Sequence, residues 1–218
     1  MFWYLLFAGF FAWLIYREIQ RPVPFDAPRG SFSYGYMGTL SLLFLFCAWL
    51  IIDHVRFERM LTQHARVVSG NPDADVHCQS LLETMLDPMP MAVAHARPDT
   101  GQIEFKATWC SHLADHLDDP ANAQGEALWA MHVFTHEVMH IRGELNEQIT
   151  DCQAYQRNQA MAERFGIPRD IAARNATAIY ENRSRHKKYF SAQCRAGGRL
   201  DESLPTPPWP VLAQRPAS

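Results

Sequence analysis

Two stretches of this chain carry no charge at all: residues 1–16, MFWYLLFAGFFAWLIY, and residues 37–52, MGTLSLLFLFCAWLII. Neither has a polar side to turn to water, which excludes an ordinary surface helix. Each is slightly shorter than the ~20 apolar residues that cross a bilayer. Residues 31–36 extend the second to a full span. Trp3, Tyr4, Trp13 and Tyr16 lie near the ends of the first, where aromatic rings sit at lipid headgroups. A cleaved signal peptide is the rival reading of the first run, but the run lacks a basic leading region and a small-residue cleavage site. A buried core helix is the rival reading of the second. Two such runs side by side favour a transmembrane helical hairpin, with membrane lipid as its partner.

Residues 17–36 (REIQRPVPFDAPRGSFSYGY) then form the connecting loop, by their prolines and glycines. Arg17, Arg21 and Arg29 in this loop are matched by Arg56, Arg59 and Arg66 after the second run. The positive-inside rule is therefore nearly tied. Cysteines break the tie. Cys78, Cys110, Cys152 and Cys194 all fall in the polar part and form no CxxC pair. Four cysteines in a small, loop-rich domain suit two disulfides and an oxidising compartment, their connectivity left open. The expectation is a cell-membrane protein with an extracytoplasmic C-terminal domain. A net charge of −3 offers no electrostatic footing for nucleic acid.

Residues 1–70 are read as the membrane hairpin and a juxtamembrane helix, since residues 53–70 are amphipathic and Asn71-Pro72-Asp73 interrupts them. Residues 71–218 are read as one further domain. Within it the stretch from Val76 to Leu86 is expected to be helical. Met91–Arg97 and Gln102–Ala107 flank Pro98-Asp99-Thr100-Gly101 and read as a β-hairpin. A short helix is expected over Trp109–Leu117. Longer ones are expected over Glu126–Arg142, Asn146–Phe165 and Pro168–Phe190, with Gly143 and Gly166 as stop signals. The Gly/Pro-rich end beyond Cys194 reads as an extended tail.

The segment His136–Glu147 reads HEVMHIRGELNE. Residues four apart share one face of a helix, so His136 and His140 can aim their imidazoles at one cation. Glu137, one position round, can reach water there without being a ligand. Glu147 lies seven residues beyond His140, or about 10 Å along a continuous helix, too far to share a cation. A third ligand at Glu147 therefore requires the chain to reverse at Gly143. Asp151 follows one turn later, as a carboxylate holding a ligand histidine or as a rival ligand. Glu144 is a third choice. His132 precedes His136 by four residues and reads as a core histidine or one supporting the ligands. His95 could border the cleft. Tyr155, Tyr180 and Tyr189 are candidates to bond a developing oxyanion, although packing is the commoner duty of such tyrosines.

At HEVMH the chain resembles the zincin metallopeptidases. Glu147 followed by Asp151 resembles the gluzincin arrangement, in which the glutamate is the third zinc ligand. The Gly143 spacing is also similar to that of metzincins, whose third ligand would fall on Asn146, a poor zinc ligand. A closer similarity is to small bacterial, chiefly actinobacterial, proteins with the pattern HEAMHVRGxxDEAxxECYAxQ and a later Cys-Arg-x-Gly-Gly. The counterparts here are HEVMHIRGELNEQITDCQAYQ and Cys194-Arg195-Ala196-Gly197-Gly198. The resemblance spans roughly residues 76–210. It implies an extracytoplasmic peptidase acting on a peptide or protein substrate, with Zn2+ on His136, His140 and Glu147 and with Glu137 as the proton carrier. The fold expected is mainly α with a small β-hairpin: an N-terminal two-helix transmembrane hairpin and a minimal zincin-like domain with an open cleft. Rival readings are a non-catalytic, zinc-stabilised binding domain and a metal-free interaction module.

Overall fold

Uncharged runs wind into helices because an apolar surrounding leaves the backbone no other hydrogen-bond partners. In the computed structural model, which describes residues 2–20, 31–183, 189 and 191–209, the first run is α1 (Phe2–Ile19) and the second begins α2 (Ser31–Ser69). Large apolar side chains are exposed on both, among them Phe7, Phe10 and Trp13 on α1 and Leu42, Phe46 and Trp49 on α2. Among the described residues only α2 is long and apolar enough to cross a membrane, over Tyr34–Ser69. With 18 residues, α1 is about 27 Å long, just short of a ~30 Å hydrocarbon core. Of the two spans expected, one thus meets the length and composition required. The expected connecting loop is shorter than residues 17–36, because Arg17–Ile19 close α1 and Ser31–Tyr36 open α2. Residues 21–30 of that loop lie outside the described residues.

The chain divides into two compact units, residues 1–60 and residues 61–218. The last turns of α2 belong with the second unit, where Leu61 and Ala65 are fully buried. Thr62 Oγ1 accepts from Val76 N at 2.9 Å, and Arg66 Nε donates to Ala74 O at 2.7 Å.

The second unit packs helices on a three-stranded sheet of order β1-β3-β2. The expected hairpin is β2 (Ala94–Arg97) and β3 (Gln102–Phe105), antiparallel with Ala96 opposite Ile103. Its turn ends at Gly101, with φ +77°. A Cβ there would lie 2.7 Å from Asp73 O, so the position requires glycine. The expected helix over Val76–Leu86 is corrected. Asp75–Cys78 is strand β1, parallel to β3, and only Leu81–Leu86 is helical (α3). Val76 and Cys78 alternate inward with a period of two, too short a signal to separate from a helical one. Ser80 then starts α3 with a reciprocal capping box to Glu83.

Helix α4 (Ala107–Asp118) and helix α5 (Gly125–Ile141) follow, then α6 (Glu147–Arg164) and α7 (Arg169–Glu181). Helix α7 ends at Glu181 rather than at the expected Phe190, and Phe190 lies outside the described residues. Most of α5 is buried, including Met131, Phe134, Val138 and Met139. It lies against β2, β3 and the helices on either side. Phe134 joins Phe105 of β3 at 6.2 Å and Phe165 at 5.6 Å between ring centres.

Both disulfides expected are present, as Cys78–Cys110 and Cys152–Cys194, while Cys47 is free. The second ties the C-terminal segment to α6. Gln156 secures the same segment by donating to Leu200 O and accepting from Glu202 N, both at 2.8 Å. Tyr180 OH donates to Cys194 O at 2.8 Å. Trp129, Tyr155, Ile179 and Trp209 pack around this staple. Cross-linking residues 42 apart restricts the unfolded chain by about 4 kcal/mol in the loop-entropy account. Replacing Cys152 and Cys194 by serine is expected to lower the stability of residues 61–218 by up to that amount, read from denaturant unfolding followed by tryptophan fluorescence. An unchanged midpoint would mean the tail is held by packing alone.

Candidate metal centre

The centre is built by one turn of chain. Helix α5 carries His136, Glu137 and His140 on its buried last turns and stops at Ile141. Gly143 N donates to His140 O at 2.9 Å and Glu144 N to Met139 O at 3.2 Å. Those two bonds are a Schellman ending, which needs a left-handed residue, and Gly143 supplies it with φ +109°. The chain therefore reverses. Asn146 caps α6 by accepting from Gln148 N and Ile149 N, and Glu147 opens the helix facing back toward the histidines.

The three side chains converge. His136 Nε2 and His140 Nε2 are 3.0 Å apart, and Glu147 Oε2 lies 3.1 Å from the first and 3.4 Å from the second. Ligand atoms about 2.05 Å from a tetrahedral zinc would be about 3.3 Å from one another. This donor set fits such an ion. His140 Nδ1 donates to Glu144 O at 2.7 Å, which leaves Nε2 its lone pair for a metal. Glu144 thus contributes through its carbonyl and not as a ligand. Its carboxylate accepts from Asn146 N in the turn.

Behind His136 lies a second layer. Asp151 Oδ1 is 3.6 Å from His136 Nδ1, within ion-pair reach but beyond hydrogen-bond length, and 2.9 Å from His132 Nε2. Asn158 Nδ2 meets His132 Nδ1 at 3.1 Å, and Tyr155 stacks on the His132 ring at 4.2 Å. His132, Asp151 and Asn158 are all more than nine-tenths buried. A chain of polar contacts therefore runs from Asn158 through His132 to Asp151 and then to His136. Sequence reasoning saw His132 at helical spacing from His136, but not the Asp151 contact, because the two are joined only by the packing of α5 on α6.

The electrostatics favour positive charge on His136. Burial disfavours charge on His136, yet Asp151, Glu147 and Glu137 outweigh it and raise the imidazole from its ordinary 6.5 to about 9. Burial pushes Asp151 up, but its contacts with His132 and His136 win and hold it down at about 2. Hydrogen bonding to His136 lowers Glu147. Glu137 behaves differently. Burial raises it, against the opposing pull of the two histidines and of the Ala96 backbone N–H.

These groups line a cleft of about 530 Å3 beside β2. His95 borders the cleft, 3.7 Å from Glu104. Tyr189 lines it too, with its ring 5.9 Å from that of His136. Tyr180 is committed to Cys194 O and Tyr155 to the packing behind His132. A further grouping of Asp87, His95 and Glu104 is already engaged by cations, Lys106 at 3.0 Å from Asp87 and Arg97 at 3.3 Å from Glu104.

Two outcomes follow from this geometry. At neutral pH His136 holds a proton that a metal must displace, so zinc binding is expected to release about one proton. Apparent affinity should then fall about tenfold per pH unit below 9. In the metal-free protein the same raised value adds stability that is full below pH 6.5 and lost as pH rises through about 9. Calorimetry in buffers of different ionisation enthalpy counts the proton, and a pH-independent affinity would contradict the exchange. Separately, His132→Ala should weaken zinc binding roughly 10–100-fold, with no further loss when added to Asp151→Asn. Additive losses in chelator competition would separate His132 from the relay.

Compared with protein-family models, curated proteins and solved structures, the chain matches none, so the centre is read from its own geometry.

Proposed function

We propose that this protein is a membrane-anchored, zinc-dependent peptidase of the zincin type. The observation that carries the reading is the convergence of His136, His140 and Glu147 within 3.0–3.4 Å of one another, with the buried Glu137 beside them and an open cleft in front. Zinc on these three residues would supply Lewis acidity, making water a nucleophile and polarising a substrate carbonyl near neutral pH.

The chain's own residues supply the rest. Burial raises Glu137, which suits a carboxyl that must take a proton from water and hand it to the leaving amine. Asp151 and His132 orient His136, and the Glu144 carbonyl orients His140. Tyr189 is the tyrosine situated to bond an oxyanion. Among the described residues, strand β2 is paired only with β3. Val93 O accepts from Lys106 N, so strand alternation turns the backbone groups of Ala94 and Ala96 away from β3, to the strand's other edge. An extended peptide can add to that edge as a further strand.

The anchor supports a cell-membrane location. Helix α2 spans, and α1, with its exposed aromatic residues, is proposed as the second span. Two disulfides favour an oxidising compartment, which supports an extracytoplasmic position for residues 61–218.

Glu137→Gln is expected to retain one zinc per chain and to lose peptide hydrolysis by at least about a hundredfold, the usual reach of a general base. His136→Ala should lose the zinc itself. Metal analysis beside cleavage of a mixed peptide library reads both. Stoichiometric zinc without Glu137-dependent hydrolysis would favour a zinc-stabilised binding domain instead.

A further inference from the structure

We propose that the cleft receives an extended polypeptide carrying large apolar side chains on both sides of the bond that is cut. This rests on the peptidase reading and names its substrate class. The cleft holds Trp109, Trp129 and Val133 in the same lining as the metal centre, and Met89, Met91 and Leu145 belong to that lining too. Met91 is 92% exposed and Leu145 73% exposed. Single exposed apolar residues are ordinary on a protein surface. Several gathered around one catalytic opening mark a binding site. The chain leading to the opening continues the pattern, since Leu81, Met85 and Leu86 of α3 are exposed and no residue of α3 is buried.

The methionines are held outward by structure. Asp87, at the end of α3, accepts from Gln79 Nε2 at 2.5 Å and from Met89 N at 2.7 Å. It also pairs with the Lys106 ammonium at 3.0 Å, with both side chains buried. Ala92 N then closes a turn on Met89 O at 3.2 Å. A buried ion pair therefore anchors the segment from which Met89 and Met91 project. Methionine is flexible and polarisable, so the rim selects for size and apolarity more than for one shape.

A polypeptide, rather than a lipid surface, is the occupant. The wall beside the rim is the edge of β2 left unpaired among the described residues, where Ala94 and Ala96 keep the side chains small and let another backbone approach. A peptide backbone can pair with the outward groups of Ala94 on that edge while offering an amide to the metal centre, which a lipid chain cannot do.

The full-length chain in lipid nanodiscs, loaded with zinc, tests this with two quenched peptide sets, one with Leu or Phe flanking the central bond and one with Ser or Asp. The apolar set is expected to be cleaved at least tenfold better in kcat/KM. The same preference should appear as affinity in the Glu137→Gln protein, measured by peptide fluorescence anisotropy. Met91→Asp with Leu145→Asp should lower that affinity about tenfold at unchanged zinc content. Equal affinity for both sets, or full affinity in the double variant, overturns the proposal. So does a polarity-sensitive dye on Met91→Cys that reports lipid contact in the absence of peptide. Should the protein hydrolyse neither set, the peptidase reading fails while the anisotropy arm still decides what the cleft binds.

Discussion

The reversal of the chain at Gly143 is the constraint on which the rest of the centre depends. A helix can bring two histidines together by itself, but it carries a carboxylate seven residues further on about 10 Å away. The Schellman ending of α5 and the Asn146 cap of α6 turn the chain within five residues and satisfy the helix ends as they do so. Glu147 then meets both imidazoles from the opposite side. The same antiparallel packing sets Asp151 against His136 and His132. One backbone device thus assembles both the candidate ligand set and its support.

Burying that many charges has a consequence. Glu137 and Asp151 lie almost out of solvent with His132 and His136, where an unpaired carboxylate is costly. The cluster is stable only with positive charge among the carboxylates, and a proton on His136 serves when no metal is present. Glu137 is the exception. It is raised where Asp151 is lowered, because it lacks a close hydrogen bond from an imidazole and Asp151 has one. Two carboxyls within one site are thus given opposite tendencies by their surroundings, the condition for one to move protons while the other stays charged.

The scaffold is arranged to hold this cluster still. Helix α5 is enclosed by the sheet and its neighbouring helices. The Cys152–Cys194 disulfide begins one residue after Asp151 and clamps the C-terminal segment over Tyr155. A loose α6 would displace Asp151 and Glu147 together. On the other side of the cleft, the Asp87–Lys106 pair fixes the apolar rim.

The sequence by itself determined the local features. Charge-free runs read as helices in an apolar setting, HExxH placed two imidazoles on one face, and Gly143 and Asn146 marked where α5 stops and α6 starts. Each of these signals lies within a few residues, at the range of one helical turn or one cap. The four polar-part cysteines pointed to two disulfides, but the pairing needed contacts across 32 and 42 residues. Strand β1 was missed because four residues with two inward side chains look the same as a turn of helix until β3 lies beside them. His132, the Glu144 carbonyl and the Ala96 N–H acquired their parts only through tertiary structure. Their partners are brought to them by helix packing and strand register, and no periodicity in the chain encodes a contact between α5 and an edge strand forty residues before it.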